Sequence, residues 1–84
     1  MNNMKISWIK YANDTNSFKV PEALGFDVVK LTDPEQTDEK IKQLMKQDYR
    51  MIVLSNEIAA FSEDIIKKYN RDKNVNIIIA SSRE

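Results

Sequence analysis

Apolar and polar positions nearly alternate in Lys5-Ile6-Ser7-Trp8-Ile9-Lys10-Tyr11, a stretch rich in β-branched and aromatic residues that ends at the turn-forming Asn13-Asp14-Thr15-Asn16. This pattern predicts a first strand. Phe18 to Leu24 carries Pro21 near the start of a possible helical turn. Gly25 follows, where a helix closes with a left-handed residue. Phe26 to Leu31 predicts a second strand, with Val28, Val29 and Leu31 supplying most of its buried surface. Asp33-Pro34-Glu35-Gln36 is a helix-start signal. Asp33 can cap free amides, Pro34 suits the first helical position, and Gln36 can reach back as in a capping box. Ile41, Leu44 and Met45 then recur at helical spacing, with Thr37 one turn earlier, and predict a helix to about Gln47.

Met51-Ile52-Val53-Leu54 is a continuous apolar run, the pattern of a central strand covered on both faces of a parallel sheet. Ser55 and Asn56 are both plausible caps for a helical segment, and Ser62 with Glu63 and Asp64 looks like a second start, so the segment is one helix or two. Ile58, Phe61, Ile65, Ile66 and Tyr69 fall on one stripe, and Asn70 to Asn74 closes the helix. Val75 to Ala80 predicts a fourth strand, with Ser81 to Glu84 as a polar end. Strands alternating with helices imply right-handed crossovers. The fold class is α/β, a small three-layer domain with a four-stranded parallel sheet in order 2-1-3-4 and flanking helices. Ligands and partners of such sheets meet the carboxyl ends of strands where the strand order reverses. With strand 1 between strands 2 and 3, Asn13, Asp14, Ser55, Asn56 and Glu57 face one mouth.

Eighty-four residues fit a single domain, 1–84, and a chain this short buries only about 60% of its unfolded surface, which leaves little room for a large enclosed active site. An apolar share of 42% and a charged share of 31% predict a folded chain rather than a disordered one. Thirteen Lys and Arg balance thirteen Asp and Glu, so no global field favours nucleic acid or anionic lipid. The basic residues Lys67, Lys68, Arg71 and Lys73 are interleaved with Glu63, Asp64 and Asp72, and read as a solvated helix end. The polar Met1 to Met4 leads into the first strand rather than a signal peptide, and no run is long enough to span a bilayer, so no direct membrane insertion is expected and the chain reads as cytoplasmic.

The missing residue types exclude more chemistry than the present ones suggest. Without cysteine there is no disulfide, thiolate nucleophile or zinc-thiolate site, and without histidine no His-based triad, phosphohistidine or imidazole ligand. Gly25 is the only glycine, which rules out Walker and Rossmann loops, and a receiver domain needs an acceptor Asp where Leu54 is followed by Ser55. Glu57 is a single carboxylate with no located partner, and reads as a first-turn residue or a partner contact rather than a catalytic acid. Trp8 reads as core packing before it reads as an interface anchor. No catalytic residue, metal site or cofactor is predicted.

Leu24-Gly25-Phe26-Asp27-Val28, then Thr32-Asp33-Pro34-Glu35, then Met51-Ile52-Val53-Leu54-Ser55-Asn56-Glu57-Ile58-Ala59 resemble the F subunit of V-type and archaeal-type ATP synthases, as does the order of elements. In that family a Gly-containing turn precedes strand 2, and an aliphatic strand ends in a Thr-Glu-Glu-Ile-Ala-like segment, here Ser55 to Ala59. The last strand commonly ends Ile-Pro-Ser, here Ile79-Ala80-Ser81. The resemblance covers most of residues 4–82. It implies a non-catalytic domain on the central rotary stalk, peripheral to a membrane complex, bound to a coiled-coil D subunit and coupling torque to ion transport with no nucleotide site of its own. The family's chain continues into a C-terminal helix, so this sequence reads as a short form lacking it, and Tyr11 to Phe18 departs from the family's usual first loop. The candidate partner-binding residues are Asn13, Asp14, Ser55, Asn56 and Glu57, with Phe61 on the helix that follows. A free-standing regulatory or protein-interaction domain of the same fold with an unrelated partner is the second reading, and a small enzyme or ligand-binder using Asp14, Ser55 and Glu57 the third.

Overall fold

A computed structural model of the chain describes residues 5–71 and 75–80. Its elements are β1 (Lys5–Tyr11), α1 (Lys19–Ala23), β2 (Asp27–Leu31), a 3-10 turn (Pro34–Gln36), α2 (Thr37–Lys46), β3 (Tyr49–Leu54), α3 (Asn56–Phe61), α4 (Glu63–Asn70) and β4 (Asn76–Ile79). All three strand pairings are parallel and the sheet order is β2-β1-β3-β4, the class and order the pattern predicts. The predicted ending at Asn74 and the polar end Ser81 to Glu84 lie outside the described residues.

The local signals act as their chemistry requires. Asp33 accepts the Glu35 amide at 3.0 Å while Gln36 Oε1 accepts the Asp33 amide at 3.2 Å, a complete capping box. The box starts a 3-10 turn first, and the α-helical ladder begins only at Thr37. Gly25 closes α1 at φ 84, a conformation open to glycine without a Cβ penalty. Two non-glycine residues share that region: Phe18 at φ 61, ahead of α1, and Asp48 at φ 70, in the turn into β3. Asp tolerates it through local hydrogen bonding, whereas for Phe18 it is strained backbone.

Strand register decides which side chains share a face. Ile9 lies opposite both Val29 and Leu54, Ile52 opposite Ile77, and Tyr11 opposite Leu31. That face carries the core: Ile9, Ile52 and Leu54 are fully buried against Ile41 and Leu44 of α2, Ile58 and Ala59 of α3, and Ile66 and Tyr69 of α4. Each fully buried aliphatic side chain contributes roughly 1.5–3 kcal/mol.

The β1–β2 connection runs one way across the sheet and the β2–β3 connection the other, so right-handed crossovers put α1 on the face opposite α2. Contacts agree: Glu22 of α1 pairs with Lys10 at 3.3 Å, and the Phe26 ring sits 5.4 Å from Trp8, with Lys10 and Trp8 both on the second face. This outer layer is thin. Among the described residues, the five-residue α1 is the one helix on that side, and Val20, Leu24 and Phe26 around it are exposed. Two expectations change as a result. The central strand β3 is deeply buried on the core face only, since Met51 and Val53 on the other face are half-buried. Trp8 is half-buried against Phe26 rather than enclosed in the core. In β2, Leu31 is buried while Val28 and Val29 are half-buried.

Candidate functional site

The carboxyl ends of β1, β2 and β3 meet at the mouth that the topology singles out. The chain leaves β1 through a tight loop in which the Ala12 amide donates to the Leu31 carbonyl at 2.7 Å, tying the loop to the end of β2. Asp14 organises the rest of that loop: its Oδ1 accepts the Asn16 amide at 2.9 Å and the Ser17 amide at 3.0 Å, an Asx turn. Burial pushes the Asp14 carboxyl up, but hydrogen bonds from the Ser17 hydroxyl and these two amides, with the Lys10 charge, outweigh it and hold the group below its ordinary value. Asp14 is therefore committed to loop structure.

At the end of β3 the Ser55 amide donates to the Ile9 carbonyl at 3.0 Å, and the Ser55 hydroxyl accepts the Ile58 amide at 3.3 Å, which caps α3. Ser55 is 1% exposed, so it positions α3 rather than meeting solvent. Asn56 and Glu57 follow it and are exposed.

The stripe expectation fails at one residue. Ile58, Ile66 and Tyr69 are buried and Ile65 half-buried, but Phe61 is 71% exposed. Ser62 interrupts the helix with φ −127 and ψ 28, so the 3.6-residue period restarts in α4 and Phe61 is left overhanging the mouth. There it lines a hollow of about 490 Å³ with Tyr11, Ala12 and Asn13 from the end of β1 and Leu31, Thr32 and Pro34 from the end of β2. A broader groove of mixed character continues from Leu31 and Thr32 past Glu35 and along α2, with Lys30 and Lys40 among its walls.

Among the described residues no lysine or arginine lines the hollow, while carboxylates stand around it. The Tyr11 hydroxyl is buried without a hydrogen-bond partner among the described residues, and its pKa is raised first by that burial and then by the negative charges of Glu57 and Asp33. Nothing in this arrangement forms a nucleophile and base pair, and among the described residues no group of three or more carboxylates is placed to hold a metal ion. The geometry offers an apolar recess with an aromatic lip and an acidic rim.

Of the residues predicted from sequence, Asn13 and Phe61 line the hollow, Glu57 acts on it electrostatically, Asn56 is exposed beside it, and Asp14 and Ser55 shape the loops. Sequence reasoning missed Tyr11, Leu31 and Pro34 as its walls. Strand alternation carried a signal for the first, because Tyr11 shares the Ile9 face and is the last residue of β1 to do so.

A four-stranded parallel sheet in order 2-1-3-4 with a recess at its strand mouth defines a small α/β domain, and residues 13–84 match the family of the ATP synthase (F/14-kDa) subunit. The chain belongs to that family. It is similar to the F subunit of the V-type ATP synthase of Clostridium botulinum strain Eklund 17B / Type B, at 26% identity over 76 residues that cover 90% of this chain and 74% of the relative. The corresponding F subunit of strain Alaska E43 / Type E3 matches with the same identity and coverage. No helix among the described residues is long and apolar enough to cross a membrane.

Proposed function

We propose that residues 1–84 act as one unit, the non-catalytic F-type subunit of a rotary V-type ATP synthase, held at the cytoplasmic periphery of the membrane complex by a coiled-coil D-type stalk subunit. The surface that holds the partner is the strand mouth, with Asn13, Asn56, Glu57 and Phe61 in contact and Asp14 and Ser55 fixing the loops that present them. The chain transmits force and transforms no reactant.

The observation that carries this reading is the conjunction of the family match over 13–84 with an exposed Phe61 beside an apolar recess. A large aromatic left 71% exposed at the rim of a recess is suited to anchor a partner, because aromatic side chains bury much area at low entropic cost. Co-expression with the coiled-coil stalk subunit of a V-type ATP synthase, followed by size-exclusion chromatography, tests it. Co-elution as a stoichiometric complex is the expected result. Separate elution at micromolar concentration overturns it.

A further inference from the structure

The zero net charge conceals a local excess of carboxylates at the strand mouth. In a parallel sheet every strand-to-helix connection lies at one end, and here that end carries Asp33, Glu35 and Glu57, together with Asp38 and Glu39 in the first turn of α2. The opposite end carries Lys46 in the last turn of α2 and Lys67 and Lys68 in the last turn of α4, with Asp27 and Asp48 beside them, and Lys30 and Lys40 line the groove next to the mouth rather than the hollow itself. Both helix dipoles favour this order, which explains why such residues are tolerated there. It does not explain why the acidic end also holds a recess with no basic residue among its described walls, formed by Leu31, Pro34 and Ala12 and overhung by an unburied Phe61. An apolar recess under a carboxylate rim has a chemical complement.

We propose that the strand-mouth hollow receives one apolar side chain from a basic helix of the partner, with lysines or arginines a turn to either side meeting Asp33, Glu35 and Glu57. This rests on the stalk-subunit reading and adds the sign and form of the partner's contact surface. Charge complementarity selects the occupant. An acidic helix would bring carboxylates against Asp33 and Glu57, whereas a basic one is steered in by them. The volume of about 490 Å³ has room for a large side chain with part of a neighbour, but not for a whole helix. The helix therefore lies across the mouth with one residue inserted, the helix-in-groove mode reduced to one anchor.

The test uses the full chain and two synthetic amphipathic peptide helices that share a leucine stripe, one with lysine on its polar face and one with glutamate, in fluorescence-anisotropy titrations at low and high salt. The lysine peptide is expected to bind and the glutamate peptide not to. Phe61→Ala is expected to weaken the lysine peptide roughly tenfold or more at both salts. Glu57→Gln combined with Asp33→Asn is expected to weaken it mainly at low salt. Because Asp33→Asn keeps a capping side chain and Phe61 is exposed, both variants are expected to fold, which circular dichroism checks. Equal binding of the two peptides, or lysine-peptide binding indifferent to Phe61→Ala, overturns the proposal. The stalk subunit supplies the separating arm. If it co-elutes with the chain but is not displaced by the lysine peptide, the basic-anchor inference falls while the stalk reading stands. If the peptide binds at Phe61 but the stalk subunit does not co-elute, the reverse holds.

Discussion

The Tyr69 hydroxyl donates to Asp38 Oδ1 at 3.0 Å, which joins α4 to the first turn of α2 across the core face of the sheet. The two helices belong to different crossovers, and this contact between residues 31 positions apart joins them beside the core residues Ile41 and Ile66. Tyr69 is 8% exposed, and burial first, then the Asp38 carboxylate, pushes its pKa from 10.0 up to about 12.

A phenol whose folded-state pKa is raised contributes stability that is fully present below its unfolded value and is lost as pH rises through the folded value. Stability is therefore expected to fall between about pH 10 and pH 12. Tyr69→Phe is expected to cost about 1 kcal/mol at neutral pH and to make the alkaline decline shallower. Urea unfolding monitored at stepped pH checks both. An unchanged alkaline profile in the variant would contradict the assignment.

Tyr11→Phe is expected to behave in the opposite way. Its hydroxyl is buried with no partner among the described residues, so deleting it removes an unsatisfied polar group and leaves the ring in place. The unfolding free energy is expected to stay within about 0.5 kcal/mol of the parent or to rise. A loss well above about 1 kcal/mol would show that the hydroxyl has a structural partner.

Much of this framework is legible in the residues. The β1 alternation and the Asp33 capping box specify their elements through local chemistry that tertiary structure does not override. Gly25 is the clearest instance, because only its missing Cβ makes φ 84 free of penalty. The sequence is less informative where two faces compete. Met51-Ile52-Val53-Leu54 is apolar throughout and reads as doubly covered, yet coverage depends on the length of a helix elsewhere, the short α1. Ile78 and Ile79 are exposed at 38% and 49% for a related reason: the expected order puts β4 at the edge, but strand propensity does not say how much of an edge strand the helices cover. Phe61 reads as one of a buried stripe because periodicity assumes an unbroken helix, and Ser62 breaks it. The hollow combines residues from three separated segments, which no local pattern reveals.

Ser55→Ala is expected to destabilise the fold by about 1 kcal/mol, the usual cost of losing an N-cap. It is also expected to weaken partner binding although Ser55 itself is buried, because Glu57 and Phe61 ride on the helix it caps. Ser55→Thr preserves a capping hydroxyl without burying a charge, and is expected to recover part of the binding. Thermal melts alongside co-elution with the stalk subunit separate the two effects. Wild-type binding by the alanine variant would mean that α3 does not form the contact.

Hydrogen–deuterium exchange of the chain, free and mixed with the coiled-coil stalk subunit, tests the central claim most directly. Protection is expected to rise in the loop 12–17, the turn 32–36 and helix α3 at 56–61, and to stay unchanged around Trp8, Val20 and Phe26. Protection confined to the Trp8 and Phe26 face, with the strand mouth exchanging as in the free chain, would contradict the account.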